Sequence, residues 1–223
     1  GEAMLKAGHS FVSASKNAAI AKAMFDTKRY AAIDLIIGKN KQSKLGRLQP
    51  QRELSFKTFS PALQQAITDY CKAGGSLFVS GAYLGTDLWR NPLSTPQQQD
   101  IDFAKYILKY QLRNDKAAVT GRLSTIVSPL TNDVLTLDYA AKPNTRCYAV
   151  ESPDAIEPAD SCAYTAFRYP ENNKSAGIVF GGNQTDHWRT VVLAVPFETI
   201  IESKERTKLM QMILNYLLQP SRF

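Results

Sequence analysis

Chemistry in this chain depends on few side chains. Two histidines, His9 and His187, are the only imidazoles available as neutral-pH bases. His9 opens a strand-like stretch beside Gly8 and reads as structural. His187 lies in the glycine-bearing segment Gly181-Gly182-Asn183-Gln184-Thr185-Asp186-His187-Trp188, where an imidazole can face a ligand. A Ser80–His187 pair would make a hydrolase dyad, although Ser80 stands at a strand end, where hydroxyls bond backbone. The cysteines, Cys71, Cys147 and Cys162, are odd in number and lack CxxC spacing, so neither a zinc site nor a thioredoxin motif is expected. Cys71 ends an amphipathic helix as a small core residue. Cys147 and Cys162 flank a Pro- and Asp-rich loop, with a disulfide and two reduced thiols both open. Tyr83, Trp89 and Trp188 offer flat faces for stacking on sugars, while Lys39, Asp87, Asn183 and Arg189 offer hydrogen bonds.

Elements must bring these residues together. Glu2 to Ala7 reads as the end of a helix capped by Gly8, as in a chain cut from a longer protein. Ser10–Ala14 reads as a strand, with Ser15 as N-cap of a helix from Asn17 to about Phe25. Tyr30–Gly38 is a near-continuous apolar run ended by Gly, the pattern of a central parallel strand. Lys39 to Thr58 is polar and holds six basic residues, Lys39, Lys41, Lys44, Arg47, Arg52 and Lys57, and reads as a loop with a solvated charge run. Ser60-Pro61 opens a helix with Leu63, Ala66, Ile67 and Tyr70 on one face, stopped by Gly74-Gly75. Ser76–Ser80 is a buried strand, Gly81–Gly85 a sharp turn, and Thr95 or Pro96 to Tyr110 a helix. This βαβαβα order predicts right-handed crossovers and a parallel sheet between helices.

In the second half, short strand-like pieces at Ala118–Thr120, Thr125–Val127, Val134–Leu137, Cys147–Val150 and Tyr164–Arg168 read as an insertion of hairpins. Ser175–Phe180 and Thr190–Val195 are two strong strands, and Glu202 to Leu218 is an amphipathic closing helix. Open α/β sheets bind ligands at the carboxyl ends of their strands. That rule places Gly38-Lys39 and the Tyr83–Trp89 turn on one rim, with the Asn183–Trp188 loop as a further contributor.

Composition narrows the classes. The 223 residues are 44% hydrophobic, 10% aromatic and 21% charged, an ordinary globular mixture that excludes disorder, collagen-like structure and a membrane span. Twenty-seven Lys and Arg against 20 Asp and Glu leave a mild +7. No GxGxxG follows a strand, and Ser13-Ala14-Ser15-Lys16-Asn17 lacks the pattern of a phosphate loop, so no flavin or dinucleotide cofactor is expected. No histidine pair or DxDxDG carboxylate cluster implies a metal, and no nucleic-acid module occurs. The chain's start has no basic n-region or apolar stretch of a signal peptide.

The run from strand through the Ser-Pro helix and Gly74-Gly75 to Gly81-Ala82-Tyr83-Leu84-Gly85 resembles the core of class I glutamine amidotransferase-like domains. Those enzymes carry their nucleophile in a G-x-C-x-G elbow, whose neighbouring backbone N–H groups and helix N-terminus stabilise an oxyanion. Tyr83 occupies the cysteine position here, and a phenol is a poor nucleophile at neutral pH. Ala7–Ser15, Tyr30–Lys39 and Gly74–Tyr83 also resemble a domain of large bacterial proteins labelled putative xanthan lyase, and Ala194-Val195-Pro196-Phe197-Glu198 with the last helix is similar to the end of amidotransferase-like domains in that group. The resemblance implies secretion, a periplasmic place or surface attachment, and a role around polysaccharide or cell wall. It carries no established catalytic residues.

The expectation is therefore one α/β domain excised from a larger protein, of flavodoxin or amidotransferase-like type. It would be a three-layer sandwich with a mainly parallel central sheet and an antiparallel hairpin extension in the second half. Its expected role is that of a non-catalytic module with a carbohydrate ligand and neighbouring domains as partners. The alternatives are a hydrolase or polysaccharide lyase working at Tyr83, Asp87 and His187, and a protein-interaction domain.

Overall fold

A computed structural model describes residues 1–41, 43–45, 54–90 and 97–219, with backbone alone at 43–45 and 54–56. The chain begins with α1 (Glu2–Lys6) and α2 (Lys16–Ala21), followed by β1 (Ala32–Gly38) and the short β2 (Ser43–Leu45) and β3 (Leu54–Phe56). Then come α3 (Pro61–Lys72), β4 (Ser76–Gly81), α4 (Leu84–Trp89) and α5 (Gln98–Asp102), which runs on into a π-helical segment, Phe103–Leu108. The second half carries β5 (Tyr110–Asn114), β6 (Arg122–Thr125), β7 (Thr136–Asp138), β8 (Ala155–Pro158), β9 (Ala163–Arg168), β10 (Ser175–Phe180) and β11 (Arg189–Leu193). A 3₁₀ turn at Phe197–Thr199 leads into α6 (Ser203–Leu217).

Seven strands form one sheet in the order β1-β4-β11-β10-β9-β6-β7, curled into a half-barrel. Only β1–β4 and β4–β11 run parallel. The pairings β11–β10, β10–β9, β9–β6 and β6–β7 are antiparallel. The expected mainly parallel three-layer sandwich is thus corrected to a mixed, mostly antiparallel sheet. The reason is physical. All six residues of β10 are buried, because both faces of the sheet are covered there, and an apolar run reports coverage without reporting direction. Of the region expected as a hairpin insertion, β6, β7 and β9 join the same sheet and lengthen it, whereas β8 pairs with β5 in a separate two-stranded ladder.

Alternate residues of the central strands feed two cores. Phe78, Val179, Val191 and Leu193 pack with α6 residues Leu209, Ile213 and Leu217 and with Phe197. Leu77, Val79, Ile178, Phe180 and Val192 pack with Leu63 and Ile67 of α3 and with Phe103 and Leu108. Helix α3 is as expected: the Ser60 hydroxyl accepts from the Leu63 amide at 3.4 Å, Pro61 sits in the first turn, and Cys71 is buried. It ends where Gly74, at φ +85°, lets the Gly75 and Gly74 amides reach back to the Tyr70 and Cys71 carbonyls at 2.9 and 2.7 Å.

Other expectations change. Ser10–Ala14 is exposed and pairs with no strand among the described residues, so it is not a strand, and the helix behind it stops at Ala21. The Lys39–Thr58 loop contains the β2–β3 ladder. Its Arg47 and Arg52 lie outside the described residues, as does the expected helix start at Thr95 or Pro96. The helix expected to reach Tyr110 ends at Leu108, and Lys109 takes a left-handed conformation that turns the chain into β5. Ala118–Thr120 and Cys147–Val150 are not strands. Cys147 and Cys162 are free thiols, half-buried.

Candidate functional site

Because β1 and β4 are parallel, Gly38 and Gly81 end side by side, and the Ala82 amide donates to the Gly38 carbonyl at 2.8 Å. Tyr83 then forms the N-cap of α4. In an amidotransferase-like elbow the amides of this first helical turn would face an oxyanion. Here the buried carboxylate of Asp154 takes them: it accepts from the Thr86 amide at 2.6 Å and the Thr86 hydroxyl at 2.7 Å, and from the Gly85 amide. Burial pushes the Asp154 carboxyl up to about 6, and these hydrogen bonds pull against that rise. The Gly85 and Thr86 amides of this turn are thus engaged by a carboxylate.

Around this turn lies a polar rim. Tyr83 is half-buried, and the Lys41 ammonium sits 4.3 Å from the centre of its ring. Burial raises the Tyr83 phenol pKa, Lys39 opposes that, and Glu151 and Asp154 add to it. Lys39 bonds Glu151 at 2.7 Å. The Tyr148 hydroxyl donates to Glu198 Oε1 at 2.6 Å, and burial followed by that carboxylate raises the Tyr148 pKa. Gly38, at φ +64°, passes directly beneath this pair: a Cβ there would lie 3.0 Å from the Tyr148 hydroxyl and 3.6 Å from Glu198 Oε1. Glu198 Oε2 is buried with no hydrogen-bond partner among the described residues, and so is Oδ1 of Asp34 on β1. Burial, reinforced by Glu198 and opposed by the Gly1 amino group, pushes the Asp34 carboxyl up to about 7.

Of the residues singled out by sequence, only Lys39 and Tyr83 meet on this rim. Asp87 is buried and turned away, accepting from the Thr58 and Phe59 amides at 3.2 and 3.1 Å. Trp89 is half-buried, its ring 5.8 Å from that of Tyr110. Asn183, His187 and Trp188 lie at the other end of the sheet. Arg189, the first residue of β11, pairs with Ser76, the first residue of β4, whereas Tyr83 follows the last. Six strand residues separate the two ends by roughly 20 Å. Asn183 caps its own turn, accepting from the Thr185 and Asp186 amides at 2.9 and 2.8 Å. His187 is exposed. Trp188 is core, donating to the Ile107 carbonyl at 3.1 Å and packing on Phe180. Ser80 is fully buried and pairs with Leu193, four strand positions from Arg189, so it forms no dyad with His187.

Sequence reasoning missed Asp34, Tyr148, Glu151, Asp154 and Glu198. Asp34 carried a signal, since a carboxylate inside Ile33-Asp34-Leu35-Ile36-Ile37 must be buried or stand on an open face. The others come from the second half and reach the rim only through the sheet's topology. Among the described residues no cluster of three or more His, Cys, Asp or Glu has the arrangement of a metal site, and no helix is long and apolar enough to cross a membrane.

No family model and no curated protein matches the chain. Among solved structures, the mmIFT52 N-terminal domain is similar over 73% of each chain, with 12% identity and a TM-score of 0.50, a likeness of fold. Weaker neighbours include glycoside hydrolases. The exo-beta-1,4-mannosidase Op5Man5 from Opitutaceae bacterium strain TAV5 has 10% identity and a TM-score of 0.43 over 72% of this chain, which spans 24% of the mannosidase. The GH42 beta-galactosidase Gan42B has 11% identity and a TM-score of 0.45 over 85% of this chain and 22% of its own.

Proposed function

We propose that the chain is a non-catalytic module that holds a glycan fragment at the carboxyl ends of β1 and β4, within a larger secreted bacterial protein acting around polysaccharide or cell wall. The observation that carries the non-catalytic part is the Tyr83–Asp154 arrangement. A phenol stands where the amidotransferase-like resemblance would put a nucleophile, and the Asp154 carboxylate occupies the Gly85 and Thr86 amides of the same helical turn.

The glycan reading rests on the groups around it. Tyr83 and the 41%-exposed Tyr148 offer ring faces, Glu198 fixes the Tyr148 hydroxyl, and Lys39 with Glu151 supplies both donor and acceptor. That mixture suits the alternating apolar faces and hydroxyls of a sugar. The secreted setting is drawn from the resemblance to the proteins labelled putative xanthan lyase.

Titration calorimetry against neutral and uronic-acid oligosaccharides tests the reading. Saturable binding is expected, weakened at least tenfold by Tyr83→Ala or Glu198→Gln with the melting temperature kept. Absence of binding across both classes refutes the glycan site. Turnover of an ester, amide or uronic-acid polymer that disappears in Tyr83→Phe refutes the non-catalytic assignment.

A further inference from the structure

The opposite end of the sheet holds a cluster with different chemistry. Lys109, left-handed at φ +67°, closes the π-helical segment and has a side chain only 4% exposed. Its ammonium donates to Asp160 Oδ2 at 2.9 Å and to Asp186 Oδ2 at 2.5 Å. The rings of Phe180 and Trp188 lie 4.7 and 5.2 Å from the same nitrogen. A lysine amine is thus held against two carboxyl groups and two aromatic faces.

The two acids are not equivalent. Asp160 is fixed from several sides, accepting from the Cys162 amide at 2.8 Å and the Asn183 side chain at 3.4 Å. Burial alone would raise its carboxyl, but these bonds and Lys109 together hold it below its ordinary value, so it stays a proton acceptor. Asp186 is held through its backbone, its amide donating to Asn183 Oδ1 and its carbonyl accepting from the Asn183 amide, both at 2.8 Å. Its carboxyl is left facing the amine.

We propose that Lys109 and Asp186 join in an intramolecular amide cross-link, with Asp160 as the proton relay. One ammonium proton passes along the existing hydrogen bond to the Asp186 carboxyl, giving a neutral amine and acid. The Lys109 nitrogen attacks Cγ of Asp186 and forms the C–N bond. Asp160 takes the second proton from that nitrogen and delivers it to the departing hydroxyl, so the Cγ–O bond breaks and one water leaves. No oxidant or other reactant is needed. Fixing the groups in contact supplies effective concentrations of about 10⁵–10⁸ M, which replace the activation a free acid would require.

Intact-mass spectrometry of the purified folded chain tests this. The expected mass is the sequence mass less one water, and a digest is expected to give a branched peptide joining Lys109 to Asp186. Lys109→Arg and Asp186→Ala restore the unlinked mass, and Asp160→Ala leaves most of the protein unlinked. A wild-type chain at full sequence mass identifies an ordinary ion-pair cluster and overturns the proposal. A branch at Asp160 overturns the assignment of the reacting acid. The wild-type measurement decides even where a variant fails to fold.

Discussion

Asp34 and Asp154 carry the clearest consequences at the scale of single residues. A carboxyl whose pKa is higher in the fold than in the unfolded chain binds its proton more tightly when folded, so stability falls as pH rises through that interval. For Asp34 the window runs from an ordinary value of about 4 to about 7, and for Asp154 to about 6. Urea unfolding of the wild type is therefore expected to give lower stability at pH 8 than at pH 5. Asp34→Asn should flatten that slope and exceed the wild type at pH 8 by about 2–4 kcal/mol; an unchanged slope would show that Asp34 is not the group responsible. Asp87 belongs to the opposite case, a carboxylate whose acceptors are in use. Asp87→Ala leaves the buried Thr58 and Phe59 amides without this acceptor, a loss of about 2–4 kcal/mol in denaturant melts. The sequence marked Asp87 as chemically notable but not as a tie between α4 and the chain before α3, because the atoms it serves are 28 and 29 positions away.

At the scale of elements, legibility followed local signals. The Ser60-Pro61 start, the Gly74 stop, the runs of β4, β10 and β11 and the apolar stripe of α6 are all written in consecutive residues, and those elements stand where expected. Strand direction is not written locally, since it depends on which neighbour a strand meets. Ser10–Ala14 has strand-like residues but no partner strand among the described residues, and Lys109 ends a helical pattern by turning left-handed, a conformation that spacing does not announce. Trp188 shows the difference in function. Read alone, it was a stacking face, but its indole donates to the π-helical Ile107 carbonyl and its ring fills the space beside Phe180. Trp188→Ala is expected to cost about 3–5 kcal/mol by thermal and urea melts, as for other large buried aromatics. Binding measured below the lowered melting point should be retained; binding lost in a fully folded variant would return Trp188 to a ligand site.

For the whole molecule, the antiparallel turn between β10 and β11 separates two ends that a fully parallel sheet would have merged. In a parallel arrangement the loop before β11 would start from a helix on the far side, and ligand loops would share one rim. Here His187 lies near the start of β4 and Tyr83 just past its finish, with the strand between them. Several of the chain's cations are engaged within the fold, Lys39 with Glu151, Lys57 with the buried Asp100, and Lys109 with two aspartates. Electrostatic attraction at the Tyr83 rim is local and short-ranged. His187→Ala is accordingly expected to leave oligosaccharide affinity within twofold of wild type, while Glu198→Gln lowers it at least tenfold, both read by calorimetry at equal folded fraction. Raising the salt from 50 to 300 mM should change the wild-type affinity by less than threefold, because hydroxyl and ring contacts are screened far less than ion pairs. An equal loss in His187→Ala and Glu198→Gln would mean that the ligand spans both ends of the sheet, and that one rim alone does not hold it.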